Sequence, residues 1–508
     1  MSSLLSHLYS AGLIGIDAYQ IDVELHISLG LPTWNTVGLP ESAVKESKDR
    51  VISAVHTCGY EFPYRKITIN LAPADVKKEG TAYDLPIAVG LLCAAGVVPQ
   101  EPLKDYLLVG ELSLTGKLRK VRGALSIALL AKESRKKGVI VPAENYWEAS
   151  VVEGVEVIGA QSLPQVVEFF ALQKAIPEPE FKSKKTRTKT KEPLNLSEVR
   201  GQAYAKRALE IAGAGFHNLF LMGPPGTGKT MLASRLPTIL PEMSFEESLT
   251  TTKVYSLMGM TTKDTSLIQQ RPFRSPHHTI SDAGLIGGGT HPKPGEVSLA
   301  HNGILFLDEL TEFHRNVLES LRQPLESGRV TIARALQSIT FPARFLLAAA
   351  CNPCPCGRGN FGNLQNPCQC TPTQIKKYQS KISGPLLDRI DLKVEVPPVS
   401  FEELVDGKKE EDSQTVRERV IEAQERQGKR LSEHGIRFNS QMGTRSIKET
   451  CPLDESGQKL LEMAMKKWQL SARAFDRMLR VARTIADLKK EEKISPSSLS
   501  EAIQYRLG

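Results

Sequence analysis

The sequence predicts an α/β protein centred on a parallel sheet, with a mixed α/β domain before it and a helical domain after it. Three observations predict this. A Gly-Pro-Pro-Gly-Thr-Gly-Lys-Thr run at 223–230 follows the apolar stretch Asn218 to Met222 and precedes a helical pattern from Met231 to Leu236. A second apolar stretch beginning at Ile304 ends in the acidic pair Asp308 and Glu309. Around both, residues 196–400 alternate apolar strands with helices, the pattern of a parallel sheet whose ligand sits at the strand ends.

Along the chain, residues 1–172 form the first predicted domain. Ile21, Val23, Leu25 and Ile27 alternate as a half-buried strand, Val44, Val51 and Val55 recur at helical spacing until Gly59, and Ile67, Ile69 and Leu71 alternate again. Leu85 to Val98 is apolar but holds a proline and two glycines, so it predicts a buried helix rather than a membrane span. Composition then shifts. Residues 173–195 are rich in Pro, Lys and Thr, with Lys182, Lys184, Lys185, Arg187, Lys189 and Lys191 close together. Such a segment has too little apolar surface to order itself and predicts a basic linker, either a solvated spacer or an auxiliary tether for phosphates. The core follows at 196–400. After Pro397 and Pro398, residues 401–508 turn helical and charged, with patterns at Val416 to Arg430, Gly457 to Lys467, Ala472 to Leu488 and Pro496 to Arg506.

The glycine-rich run points to ATP. Gly223, Gly226 and Gly228 let the backbone coil until consecutive N–H groups face one anion, with Pro224, Pro225 and Thr227 completing the turn and a helix N-terminus at the same spot. Lys229 adds a charge for the outer phosphates, and Thr230 offers a hydroxyl to Mg2+. Asp308 is placed to hold the magnesium shell, and Glu309 to deprotonate an attacking water, which hydrolysis needs and mere binding does not. Phe345 to Ala350 predicts another buried strand, ending near Asn352, where a polar side chain could hold the lytic water. Ser383 to Asp391 places Arg389 at a helix end before a strand, and Arg473 opens a basic helical pattern in the last domain.

With 508 residues the chain has room for about three to four domains. No apolar run spans a membrane and the N-terminus carries no export signal, so a cytoplasmic address without a membrane partner is expected. A net charge of +8 favours anionic partners, weakly, over so long a chain. Five of the eight cysteines fall between Cys351 and Cys370. Cys354, Cys356, Cys368 and Cys370 are candidate ligands for structural Zn2+, although their C-x-C spacing is tighter than the usual knuckle; free thiols are the alternative. Cys351 places an oxidisable thiol beside Asn352.

The succession of motifs resembles AAA+ ATPases, with Asn352 in the sensor-1 position, Arg389 in the arginine-finger position and Arg473 in the sensor-2 position. Arg271 to Ser281 (RPFRSPHHTIS), Gly287 to Gly289, Lys293 to Ala300 (KPGEVSLA) and Arg322 to Gly328 (RQPLESG) resemble the magnesium-chelatase-like branch. Thr36 to Val51 and Asn70 to Leu92 are similar to the N-terminal half of its ComM/YifB type, so the resemblance covers nearly the whole chain. It implies an AAA+ P-loop core with a helical lid, preceded by a Lon-protease-like α+β domain. It also implies a homo-oligomeric ring, a hexamer, in which Arg389 reaches a neighbour's nucleotide. Two inserted segments, about 273–299 and the hairpin Val330 to Phe341, would line the pore, with Arg274, His277, His278, Lys293 and Arg334 as candidate DNA-phosphate contacts. Where the protease family has its serine and lysine, the alignment puts Ala82 and Leu125, neither of which can act as nucleophile or base.

The resemblance implies a motor coupling ATP hydrolysis to DNA remodelling, as in branch migration during recombination and integration of transforming DNA. A protein-remodelling or regulatory ATPase and a magnesium-chelatase motor subunit remain as alternatives.

Overall fold

The computed structural model describes residues 4–179, 194–290, 292–333, 338–361, 367–405 and 410–507. The chain forms two compact units, one from residues 1–186 together with 245–268, the other from 187–244 and 269–508. The basic stretch Lys182 to Lys191 lies outside the described residues.

The first unit is built on a seven-stranded mixed sheet. Its strands are β1 (Leu5–Ile14), β2 (Asp17–Ser28), β3 (Thr33–Val37), β4 (Lys66–Ala72), β5 (Tyr106–Leu108), β8 (Gly138–Pro142) and β9 (Glu156–Ala160), in the order β3-β4-β2-β1-β5-β8-β9. A short ribbon of β6 (Glu111–Leu112) and β7 (Leu118–Arg119) stands apart from it. The alternation around Ile21 is β2, and all four of its apolar side chains are buried, as are Ile67, Ile69 and Leu71 of the antiparallel neighbour β4. The helical spacing of Val44, Val51 and Val55 is shared by two helices, Ser42–Lys45 and Ser47–Thr57, separated at Glu46. Asp84–Ala94 is the helix expected from the Leu85 stretch, buried on almost every side as its mostly apolar composition requires.

Residues 245–268 lie within the stretch expected to belong wholly to the nucleotide-binding core, yet they pack with the first unit. The Gly123 N–H donates to the Ser256 carbonyl at 3.2 Å, Lys253 pairs with Asp17 at 2.9 Å, and the Thr261 hydroxyl donates to Glu148 at 2.7 Å.

The second unit carries a five-stranded, wholly parallel sheet in the order β11-β14-β17-β10-β18. Here β10 is Leu219–Met222, β11 Phe273–Arg274, β14 Ile304–Leu307, β17 Leu346–Cys351 and β18 Leu392–Glu395. Two hairpins project from this framework: β12 (Gly287–Gly288) with β13 (Lys293–Pro294), and β15 (Arg329–Ala333) with β16 (Ser338–Pro342). Every residue of β14 and β17 is buried, which accounts for their continuous apolar runs. Helices Ser413–Leu431, Glu455–Trp468, Ala472–Leu488 and Pro496–Leu507 form the C-terminal helical part, and their apolar faces share one core with the sheet.

Candidate nucleotide site

The site forms where β10, β17 and β14 end side by side. Strand β17 lies between the other two, so Asn352, the residue after it, stands between the glycine-rich loop and the acidic pair. Gly226 and Gly228 have φ of +80° and +87°, conformations that a side chain would strain, and a Cβ at either would meet open space. The loop is therefore shaped by its backbone, and the space above it is free for a phosphate. Gly228 caps the helix Lys229–Ile239, aiming its positive end at the same place.

Lys229 Nζ donates to the carbonyls of Gly223 at 2.7 Å and Pro224 at 2.8 Å, and to Asn352 Oδ1 at 3.2 Å. Burial pushes its pKa down, opposed by the charge of Asp308. A triphosphate would supply the missing counter-charge. Thr230 Oγ1 donates to Asp308 Oδ2 at 2.5 Å, so the hydroxyl and carboxylate assigned to Mg2+ already converge, although they lie 78 residues apart. These two oxygens, completed by phosphate oxygens and water, fit the hard octahedral shell of magnesium.

Glu309 sits in the left-handed region at φ +50°, ψ +47°, and its N–H donates to Asp308 Oδ1 at 2.9 Å. That kink separates the two carboxylates by role: Asp308 faces Thr230 and Glu309 faces elsewhere. Its carboxylate lies 3.4 Å from His278 Nδ1. The His278 ring lies tilted against that of His277, 4.1 Å between centroids, and meets Phe313 edge-on. A cavity of about 470 Å³ opens beside them, lined by Glu309, Asn352, Tyr378, Lys377 and Lys381. Cys351 is buried and its thiol pushed up to about 12, so it is a poor nucleophile despite its place beside Asn352.

The five residues expected to meet DNA separate. Lys293 and His277 are exposed. Arg274 is held by Glu296 through two hydrogen bonds of 2.6 and 2.7 Å, and His278 faces Glu309. Arg334 lies outside the described residues.

Arg389 and Arg473 are brought together, away from Lys229. They line a separate cavity of about 550 Å³ with Arg344, Arg477, Arg480 and Asp391. Arg389 is buried, donates to the Pro385 carbonyl at 2.6 Å and pairs with Glu326, and its Nε has no partner among the described residues. Burial, then the charges of Arg322, Arg473 and Arg477, lower its pKa. Asp391 anchors this region. Burial would raise its pKa, but Arg477 at 2.9 Å and the neighbouring His217 hold it well below the usual carboxylate range. Arg477 belongs to the helix Ala472–Leu488 and Asp391 precedes β18, so this pair fastens the helical part to the sheet. Motif reading missed His278, Glu296, Asp391 and Arg477 as partners of the site, since each acts through a residue distant in sequence.

In the first unit, Ala82 and the fully buried Leu125 pack into one apolar cluster, so hydrocarbon occupies the positions assigned to a catalytic dyad.

A phosphate loop, an acidic pair and a polar sensor on one parallel sheet, with a helical domain behind, define an AAA+ P-loop core; it is preceded by a Lon-protease-like α+β domain. Three family models match in succession: the subunit ChlI of magnesium chelatase at 23–145, the magnesium chelatase subunit ChlI domain at 195–404, and its C-terminal domain at 410–506. The chain is 45% identical to the competence protein ComM of Haemophilus influenzae over 505 residues, covering 99% of this chain and 97% of that one. It is likewise 45% identical to the uncharacterized protein YifB of Escherichia coli over 508 residues, covering 99% and 97%. Lon protease 2 of Bacillus subtilis is 31% identical over 129 residues, 25% of this chain and 23% of that one. The chain belongs to the ComM/YifB-type magnesium-chelatase-like AAA+ proteins.

Proposed function

We propose that the chain is an ATP hydrolase that assembles into a ring, a hexamer, and uses ATP and Mg2+ to remodel DNA by branch migration. The hydrolytic half of the reading is carried by one observation, the convergence of Lys229, Thr230, Asp308 and Asn352 at adjoining strand ends with Glu309 turned aside by its left-handed backbone. A site for binding alone has no need of that second carboxylate. Thr230 and Asp308 would hold Mg2+, which would supply positive charge to the outer phosphates beside Lys229; Asn352 would position the water, and Glu309 would accept its proton.

The arginine-lined cavity supports the ring. Among the described residues the buried Nε atoms of Arg389 and Arg480 have no hydrogen-bond partner, which suits an anion, and Arg389 and Arg473 line this cavity together. A neighbour's triphosphate is the fitting occupant, with Arg389 stabilising charge on the transferred phosphoryl group. Support for DNA comes from likeness along the full chain to a relative named a competence protein, and from the exposed His277 and Lys293 of the insert. A cytoplasmic address accords with this reading. The chelatase motor stays as the second reading because the matching family models bear that subunit's name.

The deciding measurement is ATP turnover with single-stranded, forked or junction DNA at low and moderate salt. Turnover should rise with branched DNA and the response should weaken with salt. A chain that neither binds DNA nor changes its turnover at low salt would defeat the DNA reading and leave protein remodelling or chelation.

A further inference from the structure

Four thiols outside the phosphate site converge in a way that free cysteines have no reason to. The Sγ atoms of Cys354, Cys356, Cys368 and Cys370 all lie within 4.8 Å of one another. Cys354 is 3.3 Å from Cys356 and 3.7 Å from Cys368, and Cys356 is 3.6 Å from Cys368. Four thiolates at about 2.3 Å from a tetrahedral Zn2+ stand about 3.8 Å apart, close to this spacing. None of the four is disulfide-bonded. Thiols are weak hydrogen-bond donors and acceptors, so contacts among themselves would not gather four of them from two segments. The Gly359 N–H donates to Cys354 Sγ at 3.2 Å, the kind of backbone donor that steadies a coordinated thiolate.

The cluster also borders the phosphate loop. Gly357, between the first two cysteines and the next turn, has φ +81°, and a Cβ there would lie 2.7 Å from Pro225 Cδ and 2.9 Å from Pro225 Cγ. Only a glycine allows the cysteine loop to approach Pro225 so closely. Asn352, two residues before Cys354, accepts from Lys229. The segment is thus fixed against the phosphate loop at both Pro225 and Lys229.

We propose that the four cysteines bind one Zn2+ as thiolates, and that this metal clasp holds the phosphate loop in the shape that takes a triphosphate. Each thiol releases its proton to solvent as its Zn–S bond forms, and no oxidant or reductant is involved. Zinc sets nucleotide affinity through Gly357 and Asn352 and takes no part in the chemistry; the inference rests on the nucleotide-binding reading above.

Metal analysis of full-length protein purified without chelator should find close to one zinc per chain. Less than about 0.2 equivalents, or iron in its place, would overturn the assignment. Removing zinc from the wild type should weaken binding of a fluorescent ATP analogue at least tenfold, with recovery on adding zinc back; unchanged affinity would overturn the coupling. Cys356→Ser, at the exposed ligand, should lose both zinc and affinity, with folding followed by circular dichroism. Gly357→Ala separates the two effects. It should keep about one zinc per chain yet bind nucleotide tenfold or more weakly, and normal affinity in this variant would refute the bracing role. If the wild type binds no nucleotide at all, the nucleotide reading has failed, while the zinc count still decides the metal site.

Discussion

Glu309→Gln tests the division of labour between the two carboxylates most directly. The amide keeps the shape and the left-handed backbone of Glu309 but cannot take a proton from water. A positioned general base contributes about 10² to 10⁴ in rate, equivalent to about 2.7 to 5.4 kcal/mol of barrier at 1.36 kcal/mol per decade. The structure argues that the loss would be chemical. Glu309 is 58% exposed at its side chain, and its carboxylate lies 3.4 Å from His278 Nδ1. An exposed substitution of this kind alters stability by at most about 0.5 kcal/mol. Lys229, Thr230, Asp308 and Asn352 make their contacts without it, so nucleotide affinity should stay within about threefold of wild type. The assay pairs phosphate release at saturating ATP with binding of a fluorescent nucleotide. His278→Ala serves as the control: it removes the same contact but leaves the base, so turnover should remain well above that of the Gln variant. Normal turnover in Glu309→Gln, or equal losses in both variants, would refute the assignment of Glu309 as base.

Arg389→Ala should bind nucleotide normally but fail to turn it over; mixed with Glu309→Gln chains it should regain part of the activity if each supplies what the other's interface lacks, and the absence of any recovery in mixing assays would count against a shared site. Asp391→Asn should destabilise the second unit by about 3 to 5 kcal/mol, since it leaves the Arg477 guanidinium without its carboxylate, and lower its melting point by about 6–10 °C in calorimetry. The pH dependence follows in sign: because Asp391 is depressed in the folded chain, its contribution is present above the ordinary carboxylate value of about 3.9 and is lost as pH falls further. The wild type should therefore lose stability below about pH 4 by a component that the Asn variant lacks.

Elements that bury themselves by a local rule were legible in the sequence. The continuous apolar runs of β10, β14 and β17 and the spacing across Ala472 to Leu488 each mark a structure whose partner can be any apolar surface, so periodicity suffices. The glycine-rich loop was legible for a related reason: its chemistry is made by consecutive backbone groups. The return of residues 245–268 to the first unit was not. The helix Phe245–Leu257 buries Ser248, Thr251, Thr252 and Ser256 with Val254, a face held by hydroxyls rather than hydrocarbon, and hydropathy carries no trace of it.

The candidate site divides along the same line. Residues assigned to phosphate or magnesium could be picked out by type and spacing, and Lys229, Thr230, Asp308 and Asn352 do converge, whereas those that contact other side chains could not be picked out that way. Arg274 and Lys293 look alike as basic residues of one insert, yet Arg274 is consumed by Glu296 from 22 residues away and Lys293 is exposed. His277 and His278 are adjacent, but one is exposed and the other faces Glu309. The insert therefore has two kinds of side chain, one turned outward and one turned to the acidic pair, on the same few residues of backbone.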